Sequence, residues 1–205
     1  MQKIEMLLFD LGGVLVEFAG NDAIIELTSG RLNREAARRF WLDSPWLARY
    51  ETGRCNEQEF AAGVIADLHI DMDTAPFLRE FISWEIGPYP GAMELLDRLT
   101  QRYTLACLTN NNELHWNALN AMCGIERKFK KCYVSYLLGC KKPAPQIFSH
   151  VLADCGIAAD RILFFDDNPE CIEGARQAGI KGYCVREMEE LLHRLNDLGM
   201  LQLDN

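Results

Sequence analysis

Two short apolar runs of this chain end in carboxylates: Asp10 follows MLLF, and the pair Asp166 and Asp167 follows ILFF. A third run, TLACL, leads into Thr109 and Asn110, and Lys142 lies a few residues beyond a fourth, CYVSYLL. These side chains make one chemical set: carboxylates for a hard divalent cation, a hydroxyl and an amide for phosphate oxygens, and a lysine to balance anionic charge. They can act together only if the fold brings distant parts of the chain to one place.

The runs that precede them supply such a fold. Each is too short for a helix and apolar on both faces, as strands buried in a parallel sheet are. A fifth run, GYCV, stands before Arg186. Helices are expected across 91–101, 112–122, 144–155, 169–178 and 187–198, with Pro90, Gly91, Pro143 and Pro145 near helix starts and Gly156 and Gly179 at helix ends. Strand and helix in alternation predict an α/β class, a Rossmann-like parallel sheet with helices on both faces. In open parallel sheets ligands bind at the carboxyl ends of the strands, so the polar residues named above are expected to share one edge. Residues 18–88 break the rhythm. They carry helical patterns such as NREAARRFWL and EQEFAAGVIADL with no convincing strand, and end in the turn-rich GPYPG. The expected organisation is a core of residues 1–17 and 89–205 with a small helical cap, 18–88, inserted after the first motif.

Composition narrows the function classes. A formal charge of −9 lacks the clustered Lys and Arg that hold a phosphate backbone, so nucleic acid is not an expected partner. No apolar run reaches the roughly 18 residues of a membrane span, and Glu5 and Asp10 interrupt what would be a signal peptide's hydrophobic segment. The 8 cysteines show neither CxxC pairing nor zinc-ligand spacing and read as reduced packing residues. The expectation is a cytoplasmic protein, monomer or homodimer, acting on a small molecule.

The motifs, in this order, resemble the haloacid dehalogenase superfamily: LLFDLGGVLVEF with Asp10, LTNN with Thr109, KKP with Lys142, and FFDDN with Asp166 and Asp167. The likeness is greatest to the branch that includes a bacterial α-D-glucose-1-phosphate phosphatase, and YETGRCNEQEF resembles the cap sequence of many members. Any one motif is weak; four in order are specific. The resemblance implies a Mg²⁺-dependent phosphatase for a small phosphorylated metabolite, with a sugar phosphate favoured. It makes Asp10 a nucleophile that forms an aspartyl phosphate. The ion would be held by Asp10, Asp167 and the carbonyl of Gly12, with Asp166 acting through water. Lys142 and Thr109 would hold phosphate oxygens, with Asn110 as a further donor.

One position departs from the pattern. Phosphatases of this superfamily usually carry a second aspartate, the general acid, where this chain has Gly12. Glu17, a cap residue, or a substrate with a good leaving group are the alternatives that would offset its loss. Two rival functions stand beside the phosphatase: a metal-independent 2-haloacid dehalogenase, against which the acidic pair argues, and a catalytically weakened phosphate-binding or interaction protein on the same fold. Lys141 competes with Lys142, and Pro143 favours the latter. Trp41, Trp46 and Tyr50 are candidates for the wall of a substrate pocket, Glu51 and Arg54 for its mouth. The four histidines read as structural or surface residues, with His115 closest to a motif.

Overall fold

The computed structural model describes residues 3–201; the outermost residues of the expected core, 1–2 and 202–205, lie outside them. A five-stranded parallel sheet forms the centre, in the order β5-β4-β1-β6-β7. Its strands are β1 (Met6–Phe9), β4 (Thr104–Thr109), β5 (Lys131–Val134), β6 (Ile162–Asp166) and β7 (Lys181–Cys184). Alternation along the strands explains why the runs are apolar throughout. Leu7, Phe9, Leu105, Cys107, Leu163 and Phe165 pack on one side. Met6, Leu8, Ala106, Leu108, Ile162 and Phe164 pack on the other. The first side is covered by α6 (Ala92–Leu99), α7 (Glu113–Cys123) and α11 (Glu187–Asp197), the second by α9 (Pro145–Cys155) and α10 (Pro169–Gln177).

Two local expectations are corrected. The CYVSYLL run does not continue as a strand: it turns at Val134 into a single helical turn, α8 (Ser135–Leu138). Ser135 causes the break, because its buried hydroxyl accepts from the Asn111 backbone N–H and donates to the Asn111 carbonyl, each at 3.0 Å. Leu137 is left 63% exposed, so the apolar string was not a burial signal there. The second correction lies at the edge of the insertion, where β2 (Val16–Phe18) pairs antiparallel with β3 (Glu85–Pro88). The burial of β3 runs against hydropathy, since Glu85 is buried while Ile86 is 48% exposed. A pattern reader sees no strand in that inversion.

Between β2 and β3 run α1 (Gly20–Leu27), α2 (Arg34–Asp43), α3 (Pro45–Tyr50), α4 (Glu57–Leu68) and α5 (Thr74–Ser83). They share a hydrophobic cluster of their own, centred on the fully buried rings of Phe60, Phe77 and Phe81 with Trp41 and Trp84 around them. Asn56 and Glu59 close a reciprocal cap at the start of α4. Trp46 lies against Gly63, where any side chain would collide with the indole.

Candidate active site

The carboxyl ends of β1, β4 and β6 converge. Asp10 leaves β1 with its N–H donated to the Phe165 carbonyl at 2.8 Å, and its Oδ1 accepts from the Leu11 N–H at 2.7 Å. Asp166 ends β6 with no exposed surface, and its Oδ1 accepts from the Asn168 N–H at 2.8 Å. Asp167 is the next residue. One oxygen from each of Asp10, Asp166 and Asp167 lies within 4.8 Å of the others.

Lys142 does not come from a strand end, as the sequence pattern suggested, but from the loop after α8. Its Nζ sits 2.9 Å from Asp10 Oδ1 and 2.6 Å from Asp166 Oδ2. Asn110 places it there: the carboxamide donates to the Lys142 carbonyl at 2.9 Å and accepts from the Lys142 N–H at 2.8 Å. Asn110 thus uses both ends of its amide to hold the lysine loop, keeping one N–H for a ligand. Lys141 lines the same pocket but pairs with Glu51 at 2.7 Å rather than with the carboxylate cluster, while Arg54 donates to the Gly139 carbonyl at 3.3 Å. Two residues of the insertion therefore reach the lysine loop. Thr109, 2% exposed at the end of β4, lines the same pocket as Asp10 and Gly12. The two glycines differ. A Cβ on Gly12 would meet nothing within 4 Å, whereas Gly13, at φ +73°, would bring one to 3.0 Å from Asp167 Oδ2.

The electrostatics follow from burying like charges. Burial pushes Asp10 up to about 8, Lys142 opposes the rise, and Asp166 and Asp167 add to it. Asp167 is raised by burial and by Asp166. Burial works against the charge on Lys142, but Asp10 and Asp166 outweigh it and hold the lysine protonated. With all three carboxylates ionised, the cluster and the one ammonium carry a formal charge of −2, which a divalent cation would neutralise. The spacing suits one as well. Oxygens bound at about 2.1 Å around an octahedral ion lie roughly 3 to 4.2 Å apart, a span compatible with this cluster.

Above the carboxylates the pocket is walled by residues of the insertion, among them Asn21, Arg38, Trp41 and Phe81. Of the aromatic candidates, Trp41 alone lines it; Tyr50 stacks on Phe60 inside the helical cluster and Trp46 packs on Gly63. Sequence reasoning missed Glu85 and undervalued His115, both of which line the pocket. His115 Nε2 is 2.6 Å from the Phe81 carbonyl, so that nitrogen carries the proton. Nδ1 is then the acceptor, 3.2 Å from Asn112 Nδ2, with the Glu85 carboxyl at 3.7 Å. Burial lowers His115 to about 4 and raises Glu85 to about 8, so both are neutral at pH 7.

Glu85 therefore destabilises the fold as pH rises. Below its unfolded value near 4.5 both states are protonated; above it the unfolded chain ionises while the folded one does not until about 8. Glu85→Gln removes that penalty. The variant is expected to match the parent near pH 4 and to exceed it by about 2–3 kcal/mol at pH 7, several degrees in Tm. A Tm difference independent of pH from 4 to 9 would contradict the neutral buried carboxyl.

A doubly wound sheet with an acidic, lysine-countered cluster at its carboxyl edge defines a class of α/β hydrolytic enzymes. The chain belongs to the haloacid dehalogenase-like hydrolases, whose sequence profile matches residues 4–179. It is 26% identical over 193 residues to a phosphatase of Mycobacterium tuberculosis, covering 89% of this chain and 88% of that protein. It is 23% identical over 202 residues to a flavin mononucleotide hydrolase of Arabidopsis thaliana, covering 97% and 79%. Among solved structures, a haloacid dehalogenase family enzyme from Bacteroides thetaiotaomicron, in complex with magnesium and inorganic phosphate, superposes with a TM-score of 0.76 at 27% identity, over 93% of this chain and 98% of that one.

Proposed function

We propose that the protein is a magnesium-dependent phosphomonoesterase that acts on small phosphorylated metabolites, sugar phosphates foremost, through an aspartyl phosphate at Asp10. The observation that carries this reading is the gathering of Asp10, Asp166 and Asp167 within 4.8 Å beside a buried lysine. The phosphatase and the flavin mononucleotide hydrolase among its relatives support it, as does the magnesium and phosphate bound by the Bacteroides enzyme.

Asp10, Asp167 and the Gly12 carbonyl are the groups that would hold the ion, with Asp166 behind them. When bound, it supplies positive charge that offsets repulsion between an anionic nucleophile and an anionic phosphate. An Asp10 oxygen attacks phosphorus and the bond to the leaving oxygen breaks. Lys142, kept charged, and the Thr109 hydroxyl hold the phosphoryl oxygens as charge redistributes. Water then cleaves the acyl phosphate, releasing phosphate and restoring the Asp10 carboxylate. With Gly12 in place of an acid, esters of stable leaving groups, such as sugar 1-phosphates and acyl phosphates, are the favoured substrates. Residues 18–88 serve as a cap over the core formed by 1–17 and 89–205. The setting we favour is the cytoplasm, with the protein as monomer or homodimer; the free cysteines fit a reducing compartment.

The test is phosphate release from acetyl phosphate. Activity is expected with Mg²⁺, lost on chelation and restored by added Mg²⁺. Chloride release from 2-chloropropionate without metal, and no phosphate release, would overturn the reading in favour of a dehalogenase.

A further inference from the structure

Three cysteines lie on strands of the central sheet: Cys107 on β4, Cys132 on β5 and Cys184 on β7. Cys184 faces Asp166, whereas Cys107 and Cys132 are register partners of each other. Both turn to the same side of the sheet. Cys107 is fully buried in the cluster under α6, α7 and α11, and Cys132 packs against that cluster from a half-buried position. Neighbouring strands lie about 4.8 Å apart, inside the roughly 4.4–6.8 Å between Cα atoms that a disulfide spans. The two thiols are in contact: burial pushes Cys107 well above the ordinary thiol range, and a hydrogen bond with Cys132 adds to the rise.

We propose that Cys107 and Cys132 are a peroxide-oxidisable pair, in which Cys132 reacts first and Cys107 resolves the product into a disulfide between β4 and β5. The inference is independent of the phosphatase reading. The order of events follows from burial. Strand β5 is an edge of the sheet, which gives Cys132 a route to solvent, while Cys107 has no exposed surface and meets only its neighbour. The Cys132 thiolate attacks one oxygen of a hydroperoxide; the S–O bond forms, the O–O bond breaks, and hydroxide leaves with a proton as water. The Cys107 sulfur then attacks the sulfenic sulfur. The S–S bond forms, the S–O bond breaks, and the oxygen departs as a second water carrying the Cys107 proton. Two thiols lose two electrons in all, which reduce one peroxide. Cys132 otherwise makes a weak contact with the Glu126 carbonyl at 3.9 Å, which leaves its side chain free to rotate toward Cys107. The use of such a pair is protection, because a bridge stops oxidation at a reversible stage, before the sulfinic acid forms.

The experiment treats the reduced full-length protein with hydrogen peroxide, blocks the remaining thiols and maps the cysteines by mass spectrometry. Fragment spectra must separate Cys107 from Cys123 and Cys132 from Cys140. The expected product is a joined peptide pair linking Cys107 to Cys132, two hydrogen masses below the sum of its parts and lost on treatment with dithiothreitol. Cys132→Ser should abolish it. In Cys107→Ala, Cys132 should instead gain two oxygens in a form that dithiothreitol does not reverse. Exposed Cys184 reports that the oxidant has acted. Cys132 bridged to any other cysteine, of the same chain or of a second copy, overturns the pairing. So does parent protein in which Cys132 goes to sulfinic acid without a bridge, or stays reduced while Cys184 is oxidised. Should Cys107→Ala not fold, the parent map and Cys132→Ser decide.

Discussion

Gly12→Asp is expected to accelerate hydrolysis of simple alkyl phosphates by about 10²-fold or more, a gain of function from a single substitution. General acid assistance is typically worth about 10² to 10⁴ in rate, and it matters most where the leaving alkoxide is least stable. The backbone accepts the change. A Cβ at Gly12 meets nothing within 4 Å, and this glycine, unlike Gly13, is not held at positive φ. The neighbouring position serves as the control, because a Cβ on Gly13 would press on Asp167 in a conformation that L-residues rarely adopt. The measurement is kcat/KM for a series of alkyl, aryl and acyl phosphates. The dependence of rate on leaving-group pKa should flatten in Gly12→Asp, with acetyl phosphate little affected. A parent enzyme already insensitive to leaving group, or a variant with unchanged sensitivity, would show that another residue supplies the proton.

Asp10→Asn is expected to lower turnover at least about 10³-fold, since an amide oxygen is a poor nucleophile toward phosphorus and no neighbouring group replaces it. The same substitution should stabilise the metal-free protein. Burial holds Asp10 near 8, so between its unfolded value of 3.8 and pH 8 the unfolded chain gains by ionising and the folded one does not. The asparagine variant escapes that cost. Its Tm in chelator should equal the parent's near pH 3.5 and exceed it by several degrees at pH 7, with each pH unit worth about 1.4 kcal/mol at most. Activity and stability then move in opposite directions at one atom. An inactive variant that is also less stable at pH 7 would show that the ion pair with Lys142 outweighs the desolvation of the carboxylate.

The parts of this molecule legible in its sequence are those where one physical demand acts alone. MLLF, TLACL and ILFF answer only to burial on both sides of a sheet, and the strands fall on them, with TLACL and ILFF each running one residue further. Because parallel strands share a carboxyl edge, the pattern alone puts Asp10, Thr109 and Asp166 at one edge of the sheet. What escaped depended on several demands at once. CYVSYLL kept its hydrophobicity but turned at Ser135 because a side-chain hydroxyl found the Asn111 backbone. Glu85 points inward on a strand whose apolar residue points outward, and its role follows from His115, 30 positions later. The insertion's contribution to the pocket was legible only as a list of aromatics; which of them faces Asp10 depends on how α2 packs on α5, as the contact of Trp41 with Phe81 shows.

The short ribbon of β2 and β3 has a structural consequence. Phe18 and Glu85 are register partners, so the polypeptide leaves for its five-helix excursion and returns at adjacent points, a few ångströms apart. For the rest of the chain that excursion has one covalent point of exit and return, although Glu51, Arg54 and Phe81 also touch residues beyond it. Whatever lies between those two residues can be lengthened, shortened or exchanged without changing the gap to be bridged, so the acidic cluster and the pocket walls above it can diverge at different rates.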